Sequence, residues 1–129
     1  MKALENVKFN HDGLVPAIVQ DSGTNEVLML AYMNRQALEL TISTGKTHFY
    51  SRSRRTLWCK GETSGNVQHV DTLYTDCDYD TILVKVTQKG AACHEGFRTC
   101  FHNLLESASQ WKVVGSRLFD PDKVYGKNK

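Results

Sequence analysis

The sequence predicts one α+β domain, built mainly of antiparallel β-sheet with one or two short helices. Three observations carry that expectation. Short apolar runs are punctuated by turn clusters, many strand-like segments follow one another with few helical ones between them, and 129 residues suit a single domain. A chain of this length buries a useful core without staples. The domain is expected to span 1–129, with about 120–129 as a flexible tail, because the end of the chain is polar and basic and Pro121 closes the compact part.

Residues 15–20 form an apolar run behind the Asp12-Gly13 turn, and 26–33 form a second. The turn cluster Asp21-Ser22-Gly23-Thr24-Asn25 between them makes the pair a hairpin. Asn34 reads as an N-cap, Ala37, Leu38, Thr41 and Ile42 have helical spacing, and Gly45 is a stop signal, so 34–44 is expected to be a helix. Residues 47–51 and 56–60 read as strands around a basic turn. Residues 67–75 alternate loosely, with Val70, Leu73 and Tyr74 as candidates for burial. The β-branched run at 81–88 is the clearest strand. Residues 101–111 are read as a second helix. The chain carries no internal repeat and no low-complexity tract.

Composition narrows the function. With 40% hydrophobic and 23% charged residues the chain is an ordinary globular one. A net charge of +2 is too mild to demand a nucleic-acid partner, yet it is compatible with a local basic pocket for phosphates. The N-terminus lacks the apolar core of a signal peptide and no run reaches membrane length, so a cytoplasmic protein without a membrane partner is expected. In that compartment four cysteines read as metal ligands or buried thiols rather than bridges.

Three of those cysteines lie in two informative segments, Asp76-Cys77-Asp78-Tyr79-Asp80 and Cys93-His94-Glu95-Gly96-Phe97-Arg98-Thr99-Cys100. Thiolates select zinc, and carboxylates select magnesium, calcium or manganese, so two different metal sites are written close together. Three thiolates without a Cys-x2-Cys pair would leave one position open, which is what a catalytic zinc keeps. On a straight helix Cys93 and Cys100 would stand roughly 10 Å apart, too far for one ion with Zn–S bonds of about 2.3 Å. If both bind zinc, the segment between them must bend, and Gly90 and Gly96 allow it. If the acidic triplet is an extended strand, Asp76, Asp78 and Asp80 share one face and Cys77 points away. An EF-hand loop is excluded, because its glycine and glutamate positions hold Thr81 and Thr87. Cys59 is expected to be buried, and His11, His48, His69 and His102 to be surface or satisfied histidines. His94, beside a candidate ligand, is selected as an acid or base.

Ser51-Arg52-Ser53-Arg54 alternates hydroxyls with guanidinium forks that match phosphate oxygens. Lys60-Gly61-Glu62-Thr63-Ser64-Gly65-Asn66 follows as a donor-rich loop, and Trp58 offers either a stacking face or core packing. The loop is not a Walker A motif, whose Gly-Lys-[Ser/Thr] ending is missing.

These runs, together with Gly13-Leu14-Val15-Pro16-Ala17-Ile18-Val19-Gln20-Asp21 and Val27-Leu28-Met29-Leu30-Ala31-Tyr32-Met33-Asn34, resemble the phosphoribosyl-AMP cyclohydrolases of histidine biosynthesis. The resemblance covers residues 9–101 in family order. It implies hydrolytic opening of the adenine ring of N1-(5-phosphoribosyl)-AMP between N1 and C6 by a zinc-activated water. It also implies a homodimer with active sites at the subunit interface. In that reading Cys77, Cys93 and Cys100 hold one zinc per subunit, Cys77 coming from the partner subunit. Asp76, Asp78 and Asp80 hold magnesium, and His94 protonates the leaving nitrogen. Ser51, Arg52, Ser53, Arg54, Trp58, Lys60, Glu62, Thr63, Ser64 and Asn66 bind the phosphoribosyl nucleotide. The single-function form is implied, since no fused pyrophosphatase domain is visible. Where the family commonly reads Cys-His-Thr-Gly, this chain has Glu95, to which no catalytic role transfers. Cys59 has no family role either.

Two rivals fit less well. A zinc nucleobase deaminase would show His-x-Glu and Pro-Cys-x-x-Cys, and neither is present. A zinc-stabilised nucleic-acid module would want paired Cys-x2-Cys ligands and a stronger basic stripe.

Overall fold

The computed structural model describes residues 1–126. Strand β1 (Val15–Asp21) buries Val15, Ala17 and Val19 on one face, the period of two that an extended chain imposes. It turns back into β2 (Val27–Met33) as an antiparallel hairpin. The turn is closed by Asp21, whose Oδ2 accepts the N–H groups of Gly23 and Thr24 at 3.1 and 2.9 Å and the Thr24 hydroxyl at 3.0 Å.

Asn34 caps helix α1 (Arg35–Thr44), accepting the Ala37 N–H at 2.8 Å. The helix buries Ala37, Leu38 and Thr41 and ends at Gly45, while Ile42 faces outward at 44% exposure. Next come β3 (His48–Ser51) and β4 (Thr56–Cys59), paired antiparallel around the basic turn. Phe49 is fully buried there, 5.0 Å from the Trp58 ring.

β5 (Gln68–Thr75) and β6 (Ile82–Gln88) complete a four-stranded sheet in the order β2-β1-β6-β5. The sheet is antiparallel apart from β1 and β6, which run parallel. β6 owes its central place to Ile82, Val84 and Val86, all fully buried. Val70 and Leu73 pack against the core as expected, but Tyr74 is 50% exposed.

Two expectations about the C-terminal part are overturned. Residues 101–111 do not form a helix: β7 (Asn103–Ser107) and β8 (Gln110–Val113) make an antiparallel hairpin instead. Cross-strand pairing of Leu104 with Lys112 and Leu105 with Trp111 prevails over the local helical preference of Leu-Leu-Glu. This hairpin is exposed throughout, Leu104, Leu105, Trp111 and Val113 included. Compact structure also continues past Pro121, which is buried at the start of helix α2 (Pro121–Tyr125) with Asp120 as its N-cap. Pro at this position suits a helix start, because its missing N–H has no partner there anyway. The rest of the expected tail, 127–129, lies outside the described residues. Among the described residues no helix is long and apolar enough to cross a membrane.

Candidate metal and substrate site

The segment that follows β6 is bent, as a zinc shared by Cys93 and Cys100 would require. Ala92 and Cys93 donate to the Arg98 and Phe97 carbonyls at 2.9 and 3.1 Å, folding the chain back on itself. Gly90 and Gly96 sit at φ +70 and +96. A side chain at Gly96 would also collide with the Phe119 carbonyl. The far end of the segment is tied to the edge of β2: Cys100 donates to the Leu28 carbonyl at 2.7 Å and the Thr99 hydroxyl to the Val27 carbonyl at 2.7 Å.

Arg98 locks this loop from within. Its guanidinium reaches Asp21 at 3.0 Å, Glu26 at 3.3 Å, and the carbonyls of Gly90 and Gln88 at 3.0 and 3.4 Å. Cys93 and Cys100 are thereby brought close enough to influence one another electrostatically. Burial pushes the Cys100 thiol up to about 12, and the Cys93 sulfur beside it adds to the rise. The Lys60 side chain is buried near the same thiols, and burial lowers its pKa.

A cleft of about 700 Å³ opens over these groups. His94 and Cys100 line it, as do Trp58 and Lys60 at the end of β4 and Glu62, Thr63 and Ser64 from the loop beyond. Arg54 reaches it from the basic turn, and Tyr125 from α2. Ser51, Arg52, Ser53 and Asn66 stand apart from it. Ser51 accepts the Arg54 N–H at 3.2 Å and lies 3.4 Å from the Ser53 hydroxyl, which shapes the turn. Arg52 covers the Tyr32 ring at 4.1 Å. Asn66 takes the Gln88 side-chain amide on its carbonyl at 3.3 Å and packs beside Gly90. Cys59, half-buried rather than buried, also lines the cleft.

Asp76, Cys77, Asp78 and Asp80 occupy the turn between β5 and β6, not an extended strand. Tyr79 adopts φ +61 within it. Alternation by two is therefore not what gathers the carboxylates. The turn does so, with Asp76 accepting the Asp80 and Thr81 N–H groups at 3.1 and 3.3 Å. Carboxylate oxygens of Asp76, Asp78 and Asp80 lie within 4.8 Å of one another. The hydrogen bond to Asp76 is the main cause that raises the Asp80 pKa, followed by burial and the like charges of Asp76 and Asp78. Burial works to raise Asp76 too, but its hydrogen bonds prevail and lower it. A hard cation would relieve this crowding of charge. Cys77 is exposed in the same turn.

A second donor group lies within the bent segment, where Cys93, Glu95 and His102 place their ligand atoms within 4.8 Å of one another and could hold a metal ion. Of the two expected states, surface or satisfied, His102 takes the second. It is 6% exposed, stacked on Phe97 at 3.8 Å, with Nδ1 3.0 Å from the Thr99 carbonyl. The Cys-x-His spacing of Cys100 and His102 was a signal available in the sequence.

A cleft of about 700 Å³, lined by thiol and imidazole groups together with cationic and hydroxyl donors, is the apparatus of an enzyme. The family model described as phosphoribosyl-AMP cyclohydrolase matches residues 29–102. A phosphoribosyl-AMP cyclohydrolase of Pelotomaculum thermopropionicum is 62% identical over 124 residues, 96% of each chain. Proteins of the same name from Chlorobium limicola and Methanoregula boonei are each 52% identical, over 96% and 94% of this chain and 90% and 95% of their own. The chain belongs to the phosphoribosyl-AMP cyclohydrolase family.

Proposed function

We propose that residues 1–129 are a single cyclohydrolase domain that opens the adenine ring of N1-(5-phosphoribosyl)-AMP, a step of histidine biosynthesis. The cleft carries this reading: His94, Lys60 and Cys100 meet phosphate-suited donors within one wall, in a chain of this family. The oxygen of water bonds to C6, the N1–C6 bond breaks, and N1 leaves with a proton. The product is the formimino-aminoimidazole-carboxamide ribotide.

Cys93 and Cys100, close enough to influence one another electrostatically, suit zinc. The third thiolate is Cys77 of the partner subunit, because Cys77 of the same chain is exposed on a separate turn. Zinc held there supplies a water acidified toward neutral pH. His94, at the cleft wall, is the group that delivers the proton to N1. Arg54, Lys60, Thr63 and Ser64 take up the substrate phosphates, and the ring stacks on Trp58. Asp76, Asp78 and Asp80 suit magnesium. The wholly exposed β7–β8 hairpin, with Leu104, Leu105 and Trp111, favours a homodimer, since such a contiguous apolar surface is unusual on a monomer.

Turnover of phosphoribosyl-AMP measured during zinc titration tests the reaction, and full activity of the metal-free protein refutes the role given to zinc. Mixing Cys77→Ala with Cys93→Ala chains tests the shared site. Some mixed dimers should regain one complete site, and no recovered activity would refute sharing.

A further inference from the structure

We propose that Thr47, Gln68 and Gln88 are positioning residues for the ring-opening reaction. A buried chain of hydrogen bonds through their side chains holds both ends of the loop 61–66, which brings Glu62, Thr63 and Ser64 to the cleft. The inference deepens the reading of the cleft above and rests on it.

Gln68 at the start of β5 and Gln88 at the end of β6 are cross-strand partners, 0% and 8% exposed. Buried amides are costly unless their donors and acceptors are met. Here they are met in one direction only. Gln88 Nε2 faces two carbonyls, Asn66 at 3.3 Å and Lys89 at 2.9 Å, and a carbonyl only accepts. Gln88 Oε1 must therefore face Gln68, whose Nε2 meets it at 2.8 Å. Gln68 Oε1 is left to accept the Thr47 hydroxyl at 2.7 Å. Flipping either amide would set acceptor against acceptor, so the chain has a single arrangement.

Each end of this chain grips one end of the loop. Gln88 holds the Asn66 carbonyl, and the Lys89 N–H binds the Val67 carbonyl next to it at 3.1 Å. At the other end the Thr47 carbonyl accepts the Lys60 N–H at 3.0 Å, and the Thr47 N–H donates to the Gln68 carbonyl at 3.3 Å. Gln68 Nε2 also reaches Met29 Sδ at 3.4 Å, and Met29 lines the cleft. The loop's own bonds, Gly65 N–H to the Gly61 carbonyl at 2.8 Å and Asn66 N–H to Ser64 Oγ at 3.1 Å, close only local turns. Glu62 and Thr63 are exposed, so the buried chain beneath is what fixes their place. Phosphate contacts from this loop persist from bound substrate to transition state, so loosening it raises KM rather than lowering kcat.

The test compares wild type with Gln68→Met, Gln88→Met and Thr47→Val. Val84→Ala, buried in β6 and not lining the cleft, is the control. The readouts are Tm, kcat and KM for phosphoribosyl-AMP, and amide hydrogen exchange of peptides covering 61–66, which needs no substrate. Each methionine variant should raise KM about tenfold with kcat within about twofold, and speed exchange of the loop about tenfold. Thr47→Val should move both the same way by a smaller factor. Val84→Ala should lower Tm and move neither. Unchanged KM and loop exchange in both methionine variants overturns the inference, and so does a fall in kcat at unchanged KM. A control that moves KM and exchange as far also overturns it, because general loosening then accounts for the effect. If neither methionine variant folds, the nearly isosteric Thr47→Val decides alone: a raised KM with faster loop exchange supports the inference, and no change overturns it. A wild type that does not turn over phosphoribosyl-AMP refutes the ring-opening reading, and loop exchange then decides by itself whether the chain holds the loop.

Discussion

Replacing Arg98 with methionine keeps most of the side-chain volume and removes the fork that binds the bent segment to the sheet. Asp21 Oδ1 then loses its 3.0 Å partner, with the Asp21 side chain only 9% exposed. Breaking a buried pair costs about 3–5 kcal/mol. The loss here is smaller, because the Arg98 side chain is 32% exposed and Asp21 Oδ2 keeps its bonds to Gly23 and Thr24. The bond to Glu26, whose side chain is 37% exposed, adds only a few tenths of a kcal/mol. The sum is about 2–3 kcal/mol, which for a domain of this size lowers Tm by about 10 °C. Thermal unfolding followed by circular dichroism reads that shift. Zinc affinity should also fall, by about tenfold, because the loop carrying Cys93 and Cys100 is no longer held. Arg98→Lys should recover less than half of the loss, since an ammonium cannot span the same acceptors. A Tm change under about 2 °C with unchanged zinc affinity would refute the claim that Arg98 positions the ligand loop.

Other perturbations follow from the same geometry. Gly96→Ala should destabilise by about 2–4 kcal/mol in urea unfolding, since φ is +96 and the added methyl meets the Phe119 carbonyl; a loss under about 0.5 kcal/mol would contradict that packing. In metal-free protein at pH 8, iodoacetamide should modify exposed Cys77 well before Cys100, whose thiol is pushed up to about 12 by burial; peptide mapping that finds Cys100 modified first would contradict this. Asp21 has a lowered pKa: burial acts to raise it, but the bonds from Thr24 and the backbone of Gln88, with the Arg98 charge, prevail. A lowered folded value means a stabilising contribution that is complete above the unfolded pKa of about 3.9 and is lost as pH falls through the folded one. The stability gap between wild type and Asp21→Asn should therefore narrow only below about pH 4, and a gap that closes near neutrality would refute the assignment.

The elements legible in the sequence are those fixed by neighbours along the chain. The β1–β2 hairpin follows from Asp21 bonding its own turn, α1 from Asn34 capping Ala37, and β6 from its β-branched run. What the pattern could not carry is non-local. Nothing in residues 82–88 says that they run parallel to β1, and nothing in 103–113 says that Leu105 finds Trp111 across a turn before it finds a helical partner. The site divides in the same way. Cysteines and carboxylates declare their chemistry by type, so both candidate groups were visible. For His102 the choice between a surface and a satisfied histidine was open, because the Thr99 carbonyl and the Phe97 ring that satisfy it are brought to it only by folding. Ser51, Arg52 and Ser53 were chosen for their donors, yet the turn directs Arg52 onto Tyr32.

The parallel pairing of β1 with β6 also sets an order of events during synthesis. α1, β3, β4 and β5 all lie between the two partners in sequence, so the β1–β2 hairpin emerges first with one edge of β1 open. An open apolar strand edge is a template for pairing with other chains. Only β6 covers it, and the segment bearing Cys93 and Cys100 follows directly behind β6. In refolding of the full chain the same edge stays open until β6 docks, so yield should fall as protein concentration rises.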